Sequence, residues 1–318
     1  MSVHLIQPAV YAYTFGISDP IARVHSGDTV IAETRDAFGY DAQRTPLPEE
    51  MKQRIPGTTL KESNPVVGPI YIEEAEEGDL LAVHIRRIRL TRDFAISQQS
   101  PHFGSLTGEG LGHHLLYNEP IAAIRYEWRL DLARGVGIFE MPNSGGRRIE
   151  APLQPFLGSI GVAPRFGRRE TTLTPGEYGG NMDCVETKEG TTLYLPVWAK
   201  GAYLAFGDVH ALQGDGEVNG TALEVTAEVT LDLEVIKGKA ADWPRLEDAD
   251  YLMVAGSARP LMECVALAQL ELLRWLVDEH GFQREEAWQL MAQVGTMRIG
   301  NVVDPRYTVV AKFPKRYL

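Results

Sequence analysis

The chain has 318 residues, 44% of them hydrophobic and 23% charged, and a formal net charge of −12. This is the make-up of a soluble globular protein large enough for one extended β-rich unit or two domains, and its acidic balance argues against nucleic acid or an anionic membrane surface as partner. Two cysteines make no disulfide framework, the first residues lack the features of a signal peptide, and no apolar run reaches the roughly 18 residues of a membrane span, so a reducing cytoplasm is the expected setting.

Up to about residue 245 the pattern predicts strands. Gly27-Asp28 opens one over 29–38, TVIAETRDAF, and Gly78-Asp79 opens another over 80–90, LLAVHIRRIRL. The Pro- and Gly-rich stretch 135–164 reads as loop and short strand. Gly190 precedes a further strand, TTLYLPVWA. Residues 223–235, LEVTAEVTLDLEV, alternate without a break. Leu223, Val225, Ala227, Val229, Leu231, Leu233 and Val235 fall on one face and Glu224, Thr226, Glu228, Thr230, Asp232 and Glu234 on the other, the period of a half-buried antiparallel strand. Residues 259–280 have helical spacing with Gly281 as the stop, REEAWQLMAQV follows as a shorter helix, and a final strand is predicted over 307–313. Strands first and helices late predict an α+β fold, predominantly β. The expected body, residues 1–245, is an antiparallel β-sandwich or barrel-like unit carrying the site. A smaller C-terminal α/β part, 246–318, packs on the same unit, and the apolar face of its long helix suits a homo-oligomer interface.

Chemistry concentrates in residues 176–220, which hold nine of the chain's 31 glycines together with seven Asp or Glu and one His. Asp208 and His210 are two apart after the apolar stretch AYLAF, so on a continuing strand both point to one face. There they suit either a divalent-metal ligand pair or a base with its orienting acid. Asn181 and Asp183 stand in the same relation behind Gly179-Gly180, and Gln213, Asp215 and Glu217 follow within seven residues of His210. Asp36 closes a mostly apolar strand face and needs a partner, because an isolated buried carboxylate is costly. Turn chemistry alone accounts for Gly207-Asp208 and Asp215-Gly216, and a lone His beside an Asp is commonly a structural hydrogen bond. The adjacent His113-His114 pair diverges on a strand, so both rings do not share one ion. Cys184 reads as a small buried side chain, with a nucleophile as the alternative. No HExxH, GxSxG elbow, phosphate loop or dinucleotide fingerprint is present.

Several long segments resemble the acetamidase/formamidase family in the right order: GDTVIAETRDAFG at 27–39, NPVVGPIYIEEAEEGDLLAVHI at 64–85, GSIGVAP at 158–164, TPGEYGGNMDC at 174–184, GTTLYLPV at 190–197, GDVHALQGDGEVNGTALE at 207–224 and NVVDPRYTVVAKFPK at 301–315. The resemblance implies hydrolysis of short neutral amides to acid and ammonia, with a divalent metal. It places the family's polar motif residues on Asp36, Asn181, Asp183, Asp208, His210, Gln213 and Glu217. The expected roles are Asp208 and Glu217 in catalysis, Asn181 and Gln213 on the substrate amide, and Asp36, Asp183 and His210 on zinc, with a second ion such as calcium. The rival readings are a metal-stabilised ligand-binding sandwich without catalysis, and an amidase that uses Cys184.

Overall fold

The computed structural model describes residues 1–53, 62–106 and 121–318; the His113-His114 pair lies outside these. Two large sheets carry the chain. A nine-stranded sheet runs in the order Val3–Ile6, Thr29–Glu33, Ala227–Ile236, Leu80–Leu90, Thr192–Pro196, Arg245–Glu247, Tyr251–Ala258, Tyr307–Pro314, Thr296–Asn301. A twelve-stranded, branched sheet has Leu204–His210 near its middle, paired with Val66–Ile72, Glu224–Val225 and Phe156–Gly161. Among the described residues both sheets are open, so the body is sandwich-like and not a closed barrel.

Alternation explains the layering. In Tyr251–Ala258, Met253 and Ala255 face a core shared by the two sheets, with Val83, Val229, Val66, Phe206 and Leu157 among its members. Leu252 and Val254 face the other way, onto two helices. Helix α1 (Leu261–His280) buries the stripe Cys264, Ala268, Leu272, Trp275 and Leu276 and ends at Gly281 in the left-handed conformation; helix α2 (Arg284–Val294) is capped by the Gln283 side chain, which accepts from the Glu286 N–H. The nine-stranded sheet runs on across residue 245, so the C-terminal strands share a sheet with the N-terminal ones. Among the described residues no helix is long and apolar enough to cross a membrane.

The stretch 135–164 holds the short strands Val136–Met141, Arg147–Pro152 and Phe156–Gly161 with turns and loops between them, as expected. Two expectations change. The first predicted strand stops at Glu33, which leaves Asp36 in a turn. The segment 223–235 is not one strand: Glu224–Val225 pairs in the twelve-stranded sheet and Ala227–Ile236 in the nine-stranded sheet, with Thr226 at the corner. The alternation of exposure holds within Ala227–Ile236, but around the corner Leu223 to Ala227 are all buried, Glu224 among them.

Candidate active site

Short irregular segments aim the polar residues of 176–224 at one point. Gly179, at φ 91°, begins a three-residue strand laid against Phe156–Gly161, where a Cβ would stand 2.4 Å from the Ile160 carbonyl oxygen. Only glycine allows that approach, and it sets Asn181 beside Ser159 and Asp183 beside Gly158, in the strand whose other edge pairs with Leu204–His210. Asn64, Asp183, Asp208 and Glu217 all have positive φ, between 47° and 54°. Left-handed backbone at a non-glycine residue costs on the order of 1–3 kcal/mol and persists where the surroundings enforce it. Four such residues meet in this one place.

Asp183, Asp208, His210, Glu217, Glu224 and Asp304 are all buried. His210 Nε2 lies 3.5 Å from Asp208 Oδ1 and 3.4 Å from Glu224 Oε2. Ligand atoms of Asp208, His210 and Glu224 fall within 4.8 Å of one another, and so do those of Asp183, His210 and Glu217. Among the described residues, Asp208 Oδ1, Glu224 Oε2 and Asp183 Oδ1 have no hydrogen-bond donor although each is fully buried. A cavity of about 250 Å³ opens on the group; its lining joins Asn181, Asp208, His210, Glu217, Glu224 and Asp304 with Phe38, Tyr40, Phe103, Leu173 and Arg125.

Burial and mutual repulsion set the protonation. Desolvation, then the Glu217 charge, holds the Asp183 carboxyl well above the ordinary carboxylate range. Desolvation and the Asp304 and Glu224 charges do the same to Glu217, although His210 draws it down. Desolvation pushes Glu224 up to about 8 and Asp304 up to about 7. For His210 burial works downward, but the carboxylates of Glu224 and Asp208 outweigh it and raise the imidazole.

The sequence candidates fall into three groups. Asp183, Asp208, His210 and Glu217 converge. Asn181 and Gln213 converge too, but their amides are already used. Asn181 Nδ2 donates to Asp304 Oδ2 (2.8 Å) and Asp183 Oδ2 (3.3 Å), while its Oδ1 accepts from Ser159 Oγ and Asn64 Nδ2. Gln213 Nε2 donates to the carbonyl oxygens of Asp183 and Gly300, both at 3.0 Å, and its Oε1 is 2.9 Å from His210 Nδ1. In this arrangement neither amide has an N–H free. Asp36 stands outside both ligand groups. Its Oδ2 pairs with Arg92 at 2.9 Å, both side chains buried, and its Oδ1 accepts from the Phe38 and Tyr40 N–H groups. Arg92 in turn donates to the Glu224 carbonyl oxygen (2.9 Å), so the pair braces a site segment. Asp215 is an exposed partner of Arg298. Cys184 is buried against Glu186, and desolvation, then that carboxylate, raises its thiol well above the ordinary value, the opposite of an activated nucleophile.

Glu224, Asp304 and Asn64 complete the centre and escaped the sequence reading. Asn64 Nδ2 donates to Asp208 Oδ2 at 2.9 Å. All three lie in segments that carry the family resemblance, which is the signal that marks them.

Fold and site together define a two-sheet β protein with a buried carboxylate–imidazole centre whose donors suit a divalent cation. The chain belongs to the acetamidase/formamidase family, whose model matches residues 17–167 and 165–316. It is similar to an acetamidase of Yersinia enterocolitica, at 36% identity over 99% of this chain and 92% of that one, with a TM-score of 0.85. A Bacillus halodurans acetamidase matches at 30% identity over 99% and 98% of the two chains, TM-score 0.82. A protein provisionally named as a formamidase, from Schizosaccharomyces pombe, is 25% identical over 260 residues, 69% of this chain. That stretch spans 62% of the yeast protein's length.

Proposed function

We propose that this protein hydrolyses the C–N bond of small neutral amides to carboxylic acid and ammonia, with a divalent cation held by His210, Asp208 and Glu224. The observation that carries the reading is the convergence of undonated buried oxygens on Asp208 and Glu224 beside His210 Nε2. One imidazole with two carboxylates suits zinc. When bound, the cation polarises the amide carbonyl and lowers the pKa of a bound water toward about 7.

The chain's own residues supply the rest. Amide resonance blunts the carbonyl, and the nitrogen leaves only if it is protonated. Asp304 lines the cavity with its carboxyl poised at about 7, a value suited to taking the proton of the attacking water near neutral pH. Glu217 also lines the cavity, and burial raises its carboxyl well above the ordinary carboxylate range, the direction that suits a donor of the proton to the leaving nitrogen. Asn181 bridges Asp304 and Asp183, and Asn64 holds Asp208 Oδ2, so the carboxyl groups are fixed before substrate arrives. In this reading Asp304 and Glu217 carry the proton transfers, while the N–H groups of Asn181 hold carboxylates and those of Gln213 hold the Asp183 and Gly300 carbonyl oxygens.

The test is ammonia release from formamide, acetamide and longer amides, paired with elemental analysis and chelation. Glu217→Gln and Asp304→Asn are each expected to lower kcat by about 10²–10⁴-fold. Full activity in metal-free protein removes the cation from the scheme. No ammonia from any amide leaves the ligand-binding reading in its place.

A further inference from the structure

Gln213 has one orientation available to it. Its Nε2 stands 3.0 Å from two backbone carbonyl oxygens, those of Asp183 and Gly300. Carbonyl oxygens only accept, so the NH2 group must face them; the flipped amide would set oxygen against oxygen twice. Its Oε1 is therefore the atom 2.9 Å from His210 Nδ1, and an amide oxygen can only accept. The proton must sit on Nδ1. In the neutral ring, the form a cation requires of a histidine ligand, that leaves the lone pair on Nε2, the nitrogen that faces Asp208 Oδ1 and Glu224 Oε2. The edge-on contact with Phe156, ring centroids 5.0 Å apart, holds the ring plane.

We infer that Gln213 is a positioning residue: it fixes His210 as the Nδ1–H tautomer and so presents Nε2 as the donor to the cation, an inference that rests on the cation centre proposed above. The same amide ties His210 to the backbone at Asp183 and at Gly300, so one side chain registers three segments of the centre. A partner that fixes the ring of a ligating histidine is worth about 10- to 100-fold in metal affinity.

Gln213→Met and Gln213→Glu separate tautomer control from packing. Both variants and the wild type are stripped, and their affinity for Zn²⁺ alone is read by competition with a chromophoric chelator. Methionine fills the space but its thioether is only a weak acceptor for Nδ1–H, and zinc affinity is expected to fall about 10- to 100-fold. Glutamate still accepts from Nδ1–H and is expected to keep more affinity than methionine. A purely structural role predicts the reverse, because the carboxylate that Gln213→Glu introduces would face two carbonyl oxygens. Wild-type affinity in Gln213→Met, or Gln213→Glu weaker than Gln213→Met, overturns the inference. Zinc binding absent from the wild type overturns the cation centre and this inference together, and is distinguishable from either variant result. If the variants do not fold, ¹⁵N NMR of the histidine-labelled, zinc-loaded wild type decides: a proton on Nδ1 and none on Nε2 of His210 is expected, and the opposite assignment overturns the proposal.

Discussion

A methyl group on Gly158 would lie 2.8 Å from Asp208 Oδ2 and from His210 Cε1, and 2.9 Å from the Asp208 carbonyl oxygen. The φ at Gly158 is not positive, so alanine meets no backbone penalty there; the collision is with the site itself. Gly158→Ala is expected to displace Asp208 and His210 by a fraction of an ångström and to lower amide hydrolysis by about 100-fold. Steady-state rates beside a melting curve check this, and a wild-type rate in a folded variant would remove Asp208 and His210 from the centre. Cys184 makes the converse case. Its thiol is buried, hydrogen-bonded to Glu186 and held protonated. Cys184→Ser is expected to keep kcat within a few-fold, with any loss appearing as stability, since the hydroxyl can make the same bond. A collapse of kcat with the fold intact would revive the thiol nucleophile.

At the scale of an element, Asp28 fastens Val3–Ile6 to Thr29–Glu33, its neighbour in the nine-stranded sheet. Its Oδ1 accepts from the Ser2 N–H (2.6 Å), and its Oδ2 accepts from the His25 N–H (3.0 Å) and stands 2.8 Å from His4 Nε2. The His25 N–H, with Ser2 and His4 behind it and burial opposing, lowers the Asp28 carboxyl from 3.8 to about 2. A depressed carboxyl contributes stability above its unfolded value and loses it as pH falls through its folded value. Wild type is therefore expected to lose its advantage over Asp28→Asn as pH falls from about 4 to about 2. Denaturant unfolding of both proteins across that range tests it, and parallel curves would refute it. The sequence read the elements well where one face decides, as in Leu80–Leu90, α1 and α2. It failed at Thr226, because a period of two tells which side chains share a face but not which sheet the strand belongs to. Glu224, two residues before that corner, read as solvent-facing for this reason, and the corner turns it inward. Asp208 and His210 were legible because two residues on one strand settle their own geometry. Asp304 and Asn64 were not, since only long-range packing brings residues 64, 208 and 304 together.

Across the whole molecule, the carboxyl groups of Asp183, Asp208, Glu217, Glu224 and Asp304 are buried together with the His210 imidazole, and they come from both sheets and their connections. Asp208 and His210 lie in the twelve-stranded sheet, Glu224 sits beside the corner between sheets, and Asp304 precedes a strand of the nine-stranded sheet. Without a cation, protons must neutralise this charge, or the folded state bears an uncompensated buried repulsion. A divalent ion that binds the folded centre and not the open chain stabilises folding by RT ln(1 + [L]/Kd), about 4 kcal/mol at a thousand-fold excess over Kd. Stripped protein is therefore expected to melt several degrees lower than zinc-loaded protein, an effect scaled down by the chain's length. Because the ligands come from segments that join the two sheets, the shift should move one cooperative transition and not split it. Calorimetry of stripped protein with zinc added back reads both features. His210→Ala, which loses the imidazole donor shared by both ligand groups, is expected to abolish most of the zinc-dependent shift. An undiminished shift in that variant would mean that zinc stabilises the protein from some other place, and the centre would no longer account for the clustering of its acids.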